Sequence, residues 1–478
     1  MSTTESSPPV QATPPFAQLV REVMAMGAPI IATMSSSTIM QFVDFWMVAQ
    51  VGKAETAAVA PAGIAVFTLT AFLMGLARCT NTFVAQCFGR REYRECGPYA
   101  WQGLYIALAA GVVALGFRPL APSLFRLMGH EPALQALEMT YFRIVLLTIG
   151  FVTANVTIAS FFQAIGKPAV PMFITFVANA VNVGLNYVLI FGKLGLPALG
   201  LKGAALATVL ATALQTGLLL AVFLRPGTSS QFGTRVGWRW SWLRTKQLLR
   251  IGLPAGLSFS LDIACWAVFI GFVVGRFGAE QLASSNVASQ IMHLSFLPAL
   301  GMGAATTALV GQYIGRDDPQ GARLRAHTAL KLTMLYMCTM GGIFFTFRRG
   351  LIGLFRSEET IITLGSQILI LAALFQIFDA IGIIMMGALR AAGDTRWPAV
   401  VTVSYSWFFF LPSSYFFGSV LGYRALGGWL AATLYVVLYG LTMWWRFESG
   451  RWEKIDIFQE PASSADAGPG DPDGTDGV

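Results

Sequence analysis

Three carboxylates stand where apolar side chains are expected. Asp44 lies in IMQFVDFWMVAQ, Asp262 in SFSLDIACWAV, and Asp379 near the middle of the run from Ile368 to Leu389, ILILAALFQIFDAIGIIMMGAL. At ~1.5 Å per residue that last run is ~33 Å long as a helix, about the thickness of a bilayer's hydrocarbon core. A carboxylate at such depth is costly unless it is paired, solvated or protonated. Two roles meet that condition: a buried hydrogen bond that fixes helix packing, or the binding and release of a cation. In ANAVNVGLNYVLIFG, Asn182 and Asn186 are four apart on one helix face, with Asn179 three before. Amide oxygens suit a hard cation and release it readily; they also make ordinary interhelical hydrogen bonds. With Asp44 the asparagines would form an ion site in the first half of the chain. If Asp262 and Asp379 face one cavity, the pair would hold a proton or share a sodium ion, and would titrate as a pair. Phe45, Phe259, Trp266 and Phe375 lie near these acids and offer ring faces to a cationic ligand, with Gln376 beside them. Arg78 is an internal counter-charge candidate, Arg143 can snorkel, and His293 reads as a hydrogen-bonded polar residue.

The elements that must position these groups are membrane helices. Of 478 residues, 55% are hydrophobic and 12% charged, with a mean hydropathy of +0.62. A soluble protein carries roughly 25% charge. Soluble helices would also alternate apolar and charged faces, which these runs do not. The expected class is an all-α integral membrane protein of twelve transmembrane helices in two pseudo-symmetric six-helix bundles. The net charge of +8 sits mainly in loops, which points to membrane orientation and not to nucleic acid. The five cysteines show no metal-ligand spacing, and most lie in apolar runs as small packing residues. His130, His293 and His327 are far apart in sequence, and no nucleophile–base set or phosphate-binding loop is present, so neither an enzyme nor ATP-driven pumping is expected. No cofactor is expected.

Spans are expected near 17–50, 56–88, 99–117, 138–163, 168–191, 202–224, 247–275, 282–314, 327–347, 361–391, 397–420 and 427–446. Pro29, Pro254 and Pro298 inside spans are candidate kinks. Residues 1–16 read as a disordered N-terminus without a cleavable signal, 17–224 as a first lobe, 225–246 as a linker, 247–447 as a second lobe, and 448–478 as a largely disordered tail. With both termini cytoplasmic, the inside loops carry about 19 Lys and Arg against about 10 outside, which supports that orientation in a plasma (inner) membrane. Trp238, Trp240 and Trp242 in the linker suit a segment lying at headgroup depth.

The two halves repeat. Gly75, Thr80, Val84, Gln86, Gly89 and Arg90 meet identical residues at Gly301, Thr306, Val310, Gln312, Gly315 and Arg316. MGAP at Met26–Pro29 matches IGLP at Ile251–Pro254, and QAIGKP after the fourth span matches RAAGDTRWP after the tenth. Six spans per half is an even number, so both copies enter the membrane in the same sense, related by an axis along the membrane normal. Two matched bundles around a central cleft form an architecture in which one rocks against the other.

The motif set resembles the multidrug and toxic compound extrusion (MATE) family, in its NorM-like bacterial branch, over roughly residues 17–447. It comprises VAQ-x-x-G ending span 2 with its VGQ-x-x-G copy in span 8, the paired asparagines of span 5 followed by IFG, LGLPALGLKGAALAT entering span 6, and FDAIG…GALRAAGDTR in span 10. The resemblance implies a V-shaped pair of lobes and export of lipophilic organic cations, by a monomer, in antiport with Na⁺ or H⁺. It implies an ion-coupling role for Asp44, Asn182 and Asn186 in one lobe and for Asp262 and Asp379 in the other. Asp262 stands where that branch usually has Glu, and Phe375 where a Tyr is often found, which removes a hydroxyl that could coordinate an ion. A flippase for a lipid-linked or polyanionic precursor is the alternative, and would need a basic cleft where this one reads as acidic.

Overall fold

The computed structural model describes residues 14–127 and 130–458, and among them backbone order is helical throughout, with no strand. The ends expected to be disordered, up to residue 13 and from 459 onward, lie outside the described residues.

The first half contains α1 (Phe16–Ala49), α2 (Lys53–Gly89), α3 (Tyr93–Leu115), the short α4 (Ala121–Leu127), α5 (Pro132–Val145), α6 (Thr148–Ala164), α7 (Ala169–Phe191) and α8 (Leu201–Phe223). A short α9 (Pro226–Phe232) lies in the linker. The second half contains α10 (Trp242–Val268), α11 (Ala279–Gly315), α12 (Pro319–Gly353), α13 (Glu359–Ala391), α14 (Arg396–Val403), α15 (Leu411–Tyr415) and α16 (Arg424–Glu448). Ten of these runs are long and apolar enough to cross a membrane, and α5 with α6 makes an eleventh, bent by 41°. The remaining expected span, 397–420, is composite. Residues 396–420 continue as α14, a π-helical stretch Ser404–Phe410, α15, and a second π-helical stretch Phe416–Val420. The chain is therefore a multi-pass membrane protein.

Local chemistry explains the ends. Asp318 caps α12 by accepting from the Gly321 amide at 2.7 Å, with Pro319 in the first turn. Gly192 closes α7 in the left-handed conformation, φ 67°. Several helices run past the expected spans because their polar end turns stay helical: the ninth crossing covers Pro319–Gly353 against an expected 327–347. Pro29, Pro254 and Pro298 sit inside helices that continue through them. The one sharp break, between Val145 and Thr148, contains no proline.

The apolar clusters divide largely by half. Phe125, Phe142 and Ile149 pack within the first, and Phe269, Phe410, Trp429 and Tyr435 within the second. Two clusters straddle the halves: Val23, Met26 and Ile30 of α1 pack with Met302 and Leu309 of α11, and Ile251 and Ala255 of α10 pack with Phe83 and Val84 of α2. These inter-lobe contacts lie in the halves of the helices nearest the described termini.

The tail beyond α16 is ordered as far as Phe458. Trp452 stacks on Phe447 at 5.2 Å, Glu453 meets Arg323 at 2.9 Å, and Ile457 is buried. Phe458 then crosses to the first lobe, where it meets Phe83 and Tyr99 edge-on and lies under the Arg90 guanidinium at 4.3 Å.

Candidate ion and substrate sites

Asp44, on α1, faces α7. Asn186 donates its amide Nδ2 to Asp44 Oδ1 and also to Asn182 Oδ1, the latter at 2.9 Å. Helical spacing puts Asn182 and Asn186 on one face, so α7 presents both amides to α1 together. Both asparagines are buried, and Asn186 Oδ1 has no hydrogen-bond partner among the described residues. The oxygens at hand are a carboxylate and two amides, the donor set a hard cation takes. As the amide stands, its nitrogen occupies the space between those oxygens. Asn179 does not join this group; its Nδ2 bonds Ser36 Oγ at 2.8 Å.

In the second lobe, Asp262 on α10 and Asp379 on α13 lie within electrostatic reach of each other. Tyr435, from α16, donates to Asp262 Oδ1 at 2.8 Å. Its ring stacks on Phe410 at 5.3 Å, which fixes the hydroxyl's direction. Tyr439, one turn further, lies within reach of both acids. Sequence reasoning looked for this hydroxyl on the span bearing Asp379; a tyrosine of the last span supplies it. No basic side chain pairs with Asp44, Asp262 or Asp379 among the described residues. Nor do three His, Cys, Asp or Glu residues gather into a metal cluster there.

The expected aromatic lining separates into two groups. Phe45 is exposed, and Phe259 lies partly buried against Arg78, whose guanidinium is 5.3 Å from the ring centroid. Phe375 and Gln376 are buried inside the second lobe, where Gln376 donates to Ser295 Oγ at 3.0 Å. Trp266 packs against Phe410, Phe269 and Trp429 in the same core. Phe375 and Gln376 thus lie in the packing of the second lobe, and Trp266, partly buried, packs beside them.

The seam between the lobes carries a feature the motifs did not disclose. Gln86 of α2 donates to Ala391 O at the end of α13, 2.8 Å, and Gln312 of α11 donates to Ala164 O at the end of α6, 2.7 Å. These are equivalent residues of the repeat, each reaching into the other lobe. Thr82 adds a bond to Arg390 O at 2.9 Å. The backbones touch here: a Cβ on Gly75 would stand 2.6 Å from Gly256 Cα, and one on Gly89 would stand 2.9 Å from Gly315 Cα. Glu22 of α1 pairs with Arg325 of α12 at 3.1 Å.

The MatE family model matches residues 29–188 and 254–416. The chain is 30% identical over 447 residues to "Probable multidrug resistance protein NorM" of Mesorhizobium japonicum, covering 90% of this chain and 94% of that protein. It is 29% identical over 379 residues to the protein of the same description in Thermotoga maritima, covering 78% and 80%. Among solved structures it is similar to one described as the outward-facing conformation of a multidrug resistance MATE family transporter of the MOP superfamily (TM-score 0.81, 21% identity, 92% of this chain and 98% of that one). It is equally similar to structures of MATE in the straight and bent conformations, with TM-scores 0.81 and 0.82, identities 23% and 22%, and the same 92% and 98% coverage.

Proposed function

This chain belongs to the MATE family and is a NorM-like multidrug resistance transporter, not an enzyme; on that premise we propose that it exports lipophilic, mostly cationic compounds in antiport with Na⁺ or H⁺. The observation that carries the coupling is the set of three membrane-depth acids with amide or phenol partners and no basic ones. A carboxylate without a fixed countercharge at that depth is stabilised by each cation it binds. At Asp44 a sodium ion would require the Asn186 amide to turn, so that its partnerless oxygen replaces the nitrogen. At Asp262 and Asp379 one proton or one cation shared between the carboxyls relieves their repulsion.

Transport follows if ion and drug favour different arrangements of the lobes. The glutamine bonds and glycine contacts close the terminus end, so the opposite end is the one from which the drug leaves. Under this reading both termini are cytoplasmic, the membrane is the inner one, and the working unit is a monomer. The acids favour cationic cargo over the polyanionic cargo of a flippase.

The test is dye efflux from proteoliposomes under separately imposed sodium and proton gradients, comparing the parent protein with Asp44→Asn and Asp379→Asn. Gradient-driven efflux is expected to fall at least tenfold in one or both variants, under one gradient only. Undiminished efflux in both variants would overturn the coupling role.

A further inference from the structure

Two arginines converge on the seam from opposite lobes. Arg78 rises from α2 and Arg390 from the last turn of α13. Each is partly buried, and the two guanidiniums are near enough to repel one another. The Cys79 thiol lies within reach of both. None of the ion pairs among the described residues involves either arginine. Arg390 Nε is buried with no hydrogen-bond partner there. Among the described residues Arg78 has only the face of Phe259.

The backbone holds this repulsion in place. Thr82 ties Arg390 O to α2 one turn below Arg78. Side chains on a helix lean toward its N-terminus, so the Arg78 and Arg390 stems lean away from the last turns of α2 and α13. Asp379 stands eleven residues before Arg390, three turns or ~16 Å up the same face of α13. Acids within each lobe thus stand beyond a seam that holds two arginines without ion-pair partners among the described residues.

We propose that Arg78 and Arg390 form an anion-binding site at the seam between the lobes, which takes a carboxylate or a small inorganic anion. Two neighbouring guanidiniums without carboxylate partners match a carboxylate, and Phe259 beside Arg78 suits a flat ring attached to it. The anion comes either with the cargo, as the acidic group of a zwitterionic amphiphile, or from solution, as chloride. Because the arginines belong to different lobes, a bound anion also favours the closed seam. The proposal rests on the export reading for its cargo arm and is independent of it for its chloride arm.

The experiment is equilibrium binding to the full chain in detergent, read by fluorescence anisotropy, with two dyes. Rhodamine B is a zwitterion; its ethyl ester is a cation of nearly the same shape that lacks the carboxylate. Arg78→Gln and Arg390→Gln are each expected to weaken rhodamine B at least tenfold and the ester less than twofold, with the Lys variants recovering part of the loss. If chloride is the ligand, replacing it with a bulky sulfonate at constant ionic strength changes ester affinity in the parent protein and not in the Gln variants. Equal loss for both dyes, or no dye discrimination together with no chloride effect, overturns the site. Failure of the export reading shows separately, as absent binding of the ester by the parent protein.

Discussion

Replacing Gln86 and Gln312 by alanine removes two of the polar fastenings of the seam and leaves the carbonyls of Ala391 and Ala164 without their partners. A net hydrogen bond between neutral groups is worth about 1 kcal/mol, and a buried acceptor left unpaired costs about 1–3 kcal/mol. With the seam apart, water reaches those carbonyls, so the cost falls on the closed arrangement alone. Each single change should weaken closure by ~1–2 kcal/mol, a factor of roughly 5–30 in its population relative to the open form. The two bonds are equivalent by the repeat, so the single variants should behave alike and the double should exceed either. Pulsed electron paramagnetic resonance reads the outcome. Labels at Arg94→Cys and Gln320→Cys stand on exposed, repeat-equivalent positions in the first turns of α3 and α12. Cys338, the one exposed native thiol, is first changed to serine. Longer label distances should gain population in the order parent, single, double. Identical distance distributions in parent and double would refute the reasoning.

Two further perturbations bear on the same seam. Gly256→Ala places a methyl 2.5 Å from the Phe72 carbonyl oxygen, an overpacking that should cost ~1–3 kcal/mol and lengthen the same label distance; an unmoved distance and an unchanged melting temperature would refute it. Phe458→Ala removes two edge-on ring contacts and the stacked Arg90, each ring pair worth ~0.5–1.5 kcal/mol, so amide exchange across residues 451–458 should quicken while that of α6 stays constant. Unchanged exchange in the tail would show that it is held by Trp452 and Ile457 alone.

How much of this was legible in the sequence follows from what a one-dimensional pattern contains. Depth is legible: apolar runs mark the spans, and acids inside them stand out, so Asp44, Asp262 and Asp379 were found. A helix face is legible too, which put Asn182 and Asn186 together. The repeat was legible because six identities share one offset. Partners across elements were not. Nothing local to Gln86 says that its amide crosses to Ala391, and nothing local to Asp262 points to Tyr435, 173 residues away. Asn179 sat three residues from Asn182 and still turned to Ser36, because it lies seven residues, ~10 Å along the axis, before Asn186 and so meets an earlier turn of α1. The bend at 145–148 has no proline to announce it. The polar look of the tail after Glu448 concealed Trp452, Ile457 and Phe458, three apolar anchors spread over seven residues. Arg78 was read as a countercharge for the acids, whereas it faces a ring and another arginine.

The glycine contacts have a practical corollary for inhibitor design. Where Gly75 meets Gly256 and Gly89 meets Gly315, main chain lies against main chain, and no room remains for a group even as small as a methyl. A compound meant to jam this protein in its present posture has no foothold between those backbones. It must wedge elsewhere along the two lobes, as a doorstop holds a hinge.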